Sequence, residues 1–214
     1  MMHRERRTSV QKTVVFFDIC SSSRIIEDLS LGENTTRIRR WEKLLAALQK
    51  KLTDASGASG FEVYKFVGDG WIILFDPASE PAGQLAFFAS LCSFYEQTFS
   101  ELIDEQLQTV IGIHGLTFGL DSGDIYPIDL KGGREYIGSP LNIASRLQSA
   151  IRNPQDPSDN PADQLLMPRP LFNDRYREAV GKQYETSTVK RTLRNIRNDS
   201  TMYCTRIKLR TAGT

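Results

Sequence analysis

At 214 residues, 40% hydrophobic and 25% charged, the chain fits one large α/β domain better than two, with a composition ordinary for a soluble globular protein. A net charge of +1 argues neither for nor against a nucleic-acid surface, and no apolar run reaches transmembrane length or forms a signal core behind the basic start. The three cysteines, Cys20, Cys92 and Cys204, have no metal-ligand spacing and no even framework, which reads as reduced thiols in a cytoplasmic protein.

In chain order, Met1 to Arg7 is a short charged tail with His3 in solvent, part of a flexible segment expected over residues 1–12. Val14 to Ile19 is a buried-strand pattern that ends in Asp18 and runs into Cys20, Ser21, Ser22 and Ser23. An aspartate there serves equally as a helix cap, and Ser22 or Ser23 could cap a short helix from Arg24 to Leu29. After a break at Leu31 to Asn34, Ile38, Trp41, Leu44, Leu45, Leu48 and Leu52 recur at helical steps. Arg37, Arg39, Arg40, Lys43, Lys50 and Lys51 occupy much of the other face. A solvated face accounts for them, and a nucleic-acid module is the competing reading. Asp54 to Gly60 reads as a loop.

The next stretch, Tyr64 to Phe75, reads as strand, tight turn and strand, with Gly68-Asp69-Gly70 as the turn and Trp71 to Phe75 as a buried strand. On its own Asp69 is an ordinary turn residue. Beside Asp18 it gives two strand-borne carboxylates next to a small polar loop, the donors that a pair of divalent ions and a polyphosphate require. A helix is expected from Glu80 to Leu107, with Leu85, Phe88, Ala89, Cys92, Tyr95, Phe99 and Leu102 as its buried stripe. A strand is expected within Val110 to Leu120, with His114 in its apolar pattern, and a return strand starting between Gly123 and Ile128. Lys131 to Arg134 reads as a turn, and Asn142 and Arg146, four apart, share one helix face. Arg152 to Asp163 is an exposed loop, Leu171 to Val180 a short helix, and Tyr184 to Leu193 and Met202 to Leu209 the closing strands.

The strand ending in Asp18-Ile19, the Lys65-x-x-Gly68-Asp69 hairpin and the Asn142-x-x-x-Arg146 helix, in this order, resemble the catalytic domain of class III nucleotidyl cyclases. The resemblance covers roughly Thr13 to Lys208, and places a catalytic domain over residues 13–209 with a short tail at 210–214. It implies an α+β fold with a ferredoxin-like core and a mixed or antiparallel sheet flanked by helices. It further implies that Asp18 and Asp69, with the Ile19 carbonyl, hold two Mg²⁺ or Mn²⁺ ions, and that Asn142 orients the ribose. Arg146 would stabilise the α-phosphate, since a guanidinium matches phosphate geometry. Ser21, Ser22 and Ser23 would receive the triphosphate through backbone N–H groups and hydroxyls. Arg194 falls near the family's late basic residue once the loop before Tyr203 is shifted by about one residue.

Two departures bear on the base. The family's Gly-Phe-Thr after Asp-Ile-x is replaced by Ser21-Ser22-Ser23. Of the two base-selecting positions, one aligns with Lys65, as in adenylate cyclases, and the other with Glu135, or with Tyr136 after a one-residue slip. With no sensor domain read in the chain, the sequence looks like the compact pyrimidine cyclases of Pycsar antiphage systems, with UTP favoured and CTP next. Adenylate or guanylate cyclase is the alternative within the family, and a catalytically silent nucleotide-binding domain the alternative outside it. The resemblance also implies a homodimer with shared sites, a nucleoside triphosphate substrate, and neither nucleic acid nor membrane as partner.

Overall fold

The computed structural model describes residues 8–31, 35–153, 155–156, 158–196 and 201–210. The expected tail from Met1 to Arg7, with His3, lies outside these residues, as do Gly32 to Asn34 of the expected break and residues 211–214. The first strand, β1 (Val10–Ile19), has two faces, because successive side chains point to opposite sides of a sheet. Val15, Phe17 and Ile19 enter the main core, whereas Val14 and Phe16 join a smaller cluster on the other face, the face that alternation gives to Asp18. Helices α1 (Ser22–Leu29) and α2 (Thr35–Ser59) follow, then the hairpin β2 (Phe61–Phe66) and β3 (Gly70–Phe75), α3 (Pro81–Leu102) and β4 (Leu116–Leu130). These strands lie in the order β2-β3-β1-β4 with antiparallel neighbours, the arrangement of a ferredoxin-like βαββαβ core.

The second half extends the sheet. It comprises β5 (Gly133–Ile137), α4 (Ser139–Ser149), β6 (Gln164–Pro168), α5 (Asp174–Val180), β7 (Glu185–Thr192) and β8 (Thr201–Lys208). β6 lies parallel to β4, β8 and β7 complete that edge, and β5 pairs only with the far half of β4, so the described strands form a mixed eight-stranded sheet. The main core lies between one face of the sheet and α2 and α3, through Trp41, Leu44, Leu48 and Leu52 on one helix and Leu85, Phe88, Leu91 and Phe99 on the other. Each such side chain contributes about 1.5–3 kcal/mol on burial. The opposite face, which holds Asp18, is met by α4.

Several local expectations give way. Asp54 to Ser59 continues α2 instead of looping: Ala55 packs on the core, Lys50 pairs with Asp54 at 2.6 Å, and the Ser56 hydroxyl bonds the Thr53 carbonyl. Arg37 is no member of a solvated face; it is 7% exposed, and its Nη2 donates to Asp28 at 2.8 Å. Asp28 also accepts from the backbone N–H groups of Gln108 and Thr109, which ties α1 and α2 to the segment before β4. The long helix stops at Leu102, and β4 begins only at Leu116, which leaves His114 outside it, stacked on Phe99 at 4.3 Å. β4 then runs unbroken to Leu130, so the return strand is β5 and not the stretch from Gly123. β6 has no counterpart in the sequence reading, because a short buried segment such as Gln164–Pro168 after a polar loop has no periodicity to declare it.

Candidate active site

Gly70 opens β3 directly opposite Asp18 at the end of β1. A Cβ at Gly70 would stand 2.1 Å from the Phe17 carbonyl oxygen, so only glycine allows the two backbones this approach. The consequence is that Asp69, one residue earlier, comes alongside Asp18, close enough for the two carboxyl groups to interact. The Ser22 hydroxyl donates to Asp69 Oδ2, and the Ile19 N–H donates to Asp18 Oδ1 at 3.0 Å. Burial, then the hydrogen bond to Asp69 and its charge, push the Asp18 carboxyl up to about 7. Two carboxyls this close repel when both are ionised, and a divalent ion would offset that repulsion. The donors are all oxygens, which suits Mg²⁺ or Mn²⁺. Among the described residues no group of three or more His, Cys, Asp and Glu side chains is placed to hold a metal, so two aspartates would need further oxygens from a ligand.

Asp18, Ile19, Ser21, Ser22, Ser23 and Thr117 line a cleft of about 340 Å³. Neither Ser22 nor Ser23 caps α1: Ser22 is the first helical residue, buried and committed to Asp69, while Ser21 stands at the cap position with no side-chain cap bond. Ser21 has φ 61°, a left-handed conformation that costs a non-glycine residue about 1–3 kcal/mol and gathers at ligand sites.

A second cluster forms around Glu135. Lys65 Nζ lies 2.8 Å from Glu135 Oε1, and the Tyr64 hydroxyl donates to Glu135 Oε2 while accepting the Tyr136 N–H at 2.8 Å. The Tyr64 and Tyr136 rings meet edge to face at 5.2 Å. Hydrogen bonds from Lys65 and Tyr64 hold the Glu135 carboxyl below its ordinary range. Consecutive strand residues point to opposite faces, yet Tyr64 and Lys65 both reach Glu135. The cause is a register shift between Val63 and Lys65, which leaves Tyr64 as the extra residue of a bulge. The sequence reading selects Lys65, Glu135 and Tyr136 and misses Tyr64.

Helix α4 carries the third set. Ala144 and Leu147 are buried, whereas Asn142 and Arg146 are exposed on the outward side. Arg146 and Arg194 line one cleft of about 770 Å³ together with Arg152, Lys190 and Arg191. The cleft lined by Asp18 and this basic cleft adjoin, with Ser149 and Arg152 in the walls of both. Within one chain, therefore, Asp18 and Asp69 stand together, Lys65, Glu135 and Tyr136 stand together, and Arg146 and Arg194 stand together in a cleft that adjoins the one lined by Asp18. Thr117 and Gln148, beside Asp18, are also missing from the sequence reading; a polar pair on a strand and a helix gives no local signal.

No protein-family model and no curated protein matches the chain. Solved structures do. The guanylyl cyclase Cya2 superposes with a TM-score of 0.65 at 15% identity, over 94% of this chain and 92% of that one. The adenylyl cyclase CyaB from P. aeruginosa gives 0.65 at 14% identity, over 94% of each chain. The guanylate cyclase domain of RhGC from Catenaria anguillulae, solved in complex with GTP, gives 0.54 at 16% identity, over 94% of this chain and 98% of that one. At such identities the likeness is one of architecture, and the chain has the fold of class III adenylyl and guanylyl cyclase catalytic domains.

Proposed function

We propose that the protein is a nucleotidyl cyclase that converts a nucleoside triphosphate to the 3′,5′-cyclic nucleotide and pyrophosphate. The observation that carries this reading is the meeting of Asp18 and Asp69, from β1 and the β2–β3 turn, across Gly70. Asp18 and Asp69, with Ile19 at the cleft wall, would hold Mg²⁺ or Mn²⁺ (two per site). When bound, such ions lower the pKa of the ribose 3′-hydroxyl and neutralise the leaving phosphates. Ser21 and Ser23 offer polar groups to the triphosphate at the cleft wall. Arg146 supplies a bidentate donor for the α-phosphate as it becomes five-coordinate, Arg194 lies in the same basic cleft for the phosphate tail, and Asn142 orients the ribose one turn away. In this reading the complete site is assembled from two copies, the aspartates of one facing the Asn142–Arg146 face of the other, supported by the exposure of Asn142 and Arg146 on the outward side of α4.

The base reading is a pyrimidine, UTP before CTP, with the product acting as a second messenger in antiphage defence. It is supported by the way both Glu135 oxygens are occupied by Lys65 and Tyr64, with two tyrosine rings packed beside them. On this reading Tyr136 fills space that a purine would need, and Lys65, shared with Glu135, addresses the carbonyl groups of the smaller ring. The test is incubation of the purified protein with each of the four ribonucleoside triphosphates and Mn²⁺, with products identified by mass. Cyclic UMP, followed by cyclic CMP, is expected. A clean cyclic AMP or cyclic GMP product overturns the pyrimidine reading, and binding without any cyclic product identifies a silent nucleotide-binding domain.

A further inference from the structure

We propose that Gln148 is a positioning residue for the candidate metal site: from the inner side of α4 it holds the Asp18 carboxylate, so the helix that presents Asn142 and Arg146 outward also sets the metal ligand behind it. The inference rests on the two-aspartate reading given above. Three contacts carry it. Gln148 Nε2 lies 2.9 Å from Thr117 Oγ1 and 3.4 Å from Asp18 Oδ2. Thr117 Oγ1, on a side chain only 3% exposed, donates in turn to the Asp18 carbonyl at 3.3 Å. The amide oxygen is directed elsewhere, accepting from the Ser149 hydroxyl at 3.4 Å. Asp18 is thus fixed on both carboxyl oxygens, by the Ile19 N–H on Oδ1 and by the Gln148 amide on Oδ2.

The helix that bears Gln148 cannot drift from this position. A Cβ at Gly119 of β4 would stand 2.1 Å from the Ala144 carbonyl oxygen and 2.3 Å from the Gln148 backbone nitrogen, so helix and strand backbones are seated directly on one another. An amide is also the side chain the place calls for. It donates without adding charge, whereas a carboxylate there would be a third acidic group beside Asp18 and Asp69. An apolar side chain would leave Asp18 Oδ2 without its donor and the carboxylate held only through Oδ1 by the Ile19 N–H.

The experiment titrates Mn²⁺ into the full chain with inorganic pyrophosphate present and counts free ion by electron paramagnetic resonance. Removing the hydrogen-bond partner of a metal ligand weakens binding by about 10-fold or more, so Gln148→Met should raise the Mn²⁺ dissociation constant about 10-fold with the thermal midpoint little changed. Thr117→Val should raise it less, and the double variant should be no worse than Gln148→Met, because the two side chains act as one chain of bonds. Asp18→Ala separates the failures. If it binds Mn²⁺ as the wild type does, the two-aspartate reading falls; if it loses binding while Gln148→Met and Thr117→Val retain wild-type affinity, only the role of Gln148 falls. Should Gln148→Met not fold, Thr117→Val carries the same expectation, and an unchanged constant there overturns it.

Discussion

Asp18 is the residue on which charge and geometry bear most heavily. Asp18→Ala or Asp69→Ala should abolish cyclic nucleotide formation, by more than the roughly 100-fold upper end for loss of a ligand's hydrogen-bond partner, with the far-ultraviolet spectrum unchanged. Near wild-type turnover by either variant at saturating Mn²⁺ would contradict the assignment. A pH dependence follows from the same pair. The Asp18 carboxyl is pushed up to about 7 by burial and by Asp69, so in the metal-free protein below that pH it holds a proton that a cation must displace. The Mn²⁺ dissociation constant should therefore fall as pH rises toward 7, by up to about 10-fold per unit for one displaced proton, and flatten above it. A constant unchanged between pH 5.5 and 8 would contradict this. The two aspartates are legible in the sequence because strand ends and glycine turns announce themselves, but Gln148 and Thr117 are not: they act through a helix–strand contact that no local pattern encodes.

Among the elements, the bulge in β2 has the clearest functional consequence. Tyr64→Phe removes one of the two donors to Glu135 and the acceptor of the Tyr136 N–H, and so frees the carboxylate that Lys65 shares. Its expected effect is a change of about 10-fold or more in preference among the four triphosphates, with Mn²⁺ dependence nearly constant, since lost polar partners discriminate far more than apolar repacking. Equal preference in wild type and variant would remove Tyr64 from base selection. The Arg37–Asp28 pair tests the scaffold instead. With both side chains under a tenth exposed, Arg37→Ala removes the counter-charge of a buried carboxylate that keeps its bonds from Gln108 and Thr109, and should cost about 3 kcal/mol in urea unfolding. A loss under 1 kcal/mol would mean the pair is dispensable. Element types were largely readable here and boundaries were not. Strong periodicity found α2 and α3, while Arg37 was misplaced because a basic residue on a basic face gives no sign that a buried aspartate waits for it. β6 stayed hidden since a short, fully buried parallel strand has neither alternation nor a turn signal.

Taken whole, one chain is left open where the chemistry would lie. Phe66 and Val67 at the β2–β3 turn, and Tyr126, Leu130 and Ile137 on the β4–β5 ribbon, are exposed apolar side chains, and Asn142 and Arg146 face outward on α4. We propose a second copy of the chain as the cover for these side chains. A symmetric pair would join the Asp18–Asp69 pair of one copy to the Asn142–Arg146 face of the other and create two equivalent sites. The most direct measurement is complementation. Asp69→Ala protein and Arg146→Ala protein, each inactive alone, are mixed and allowed to exchange subunits, with tagged co-purification to report mixed dimers. A mixed dimer has one site with both lesions and one with neither, so with random exchange the mixture should recover about a quarter of wild-type activity. Mixed dimers that form yet stay at the level of the single variants would place aspartates and arginine in one chain's site and contradict the shared-site account.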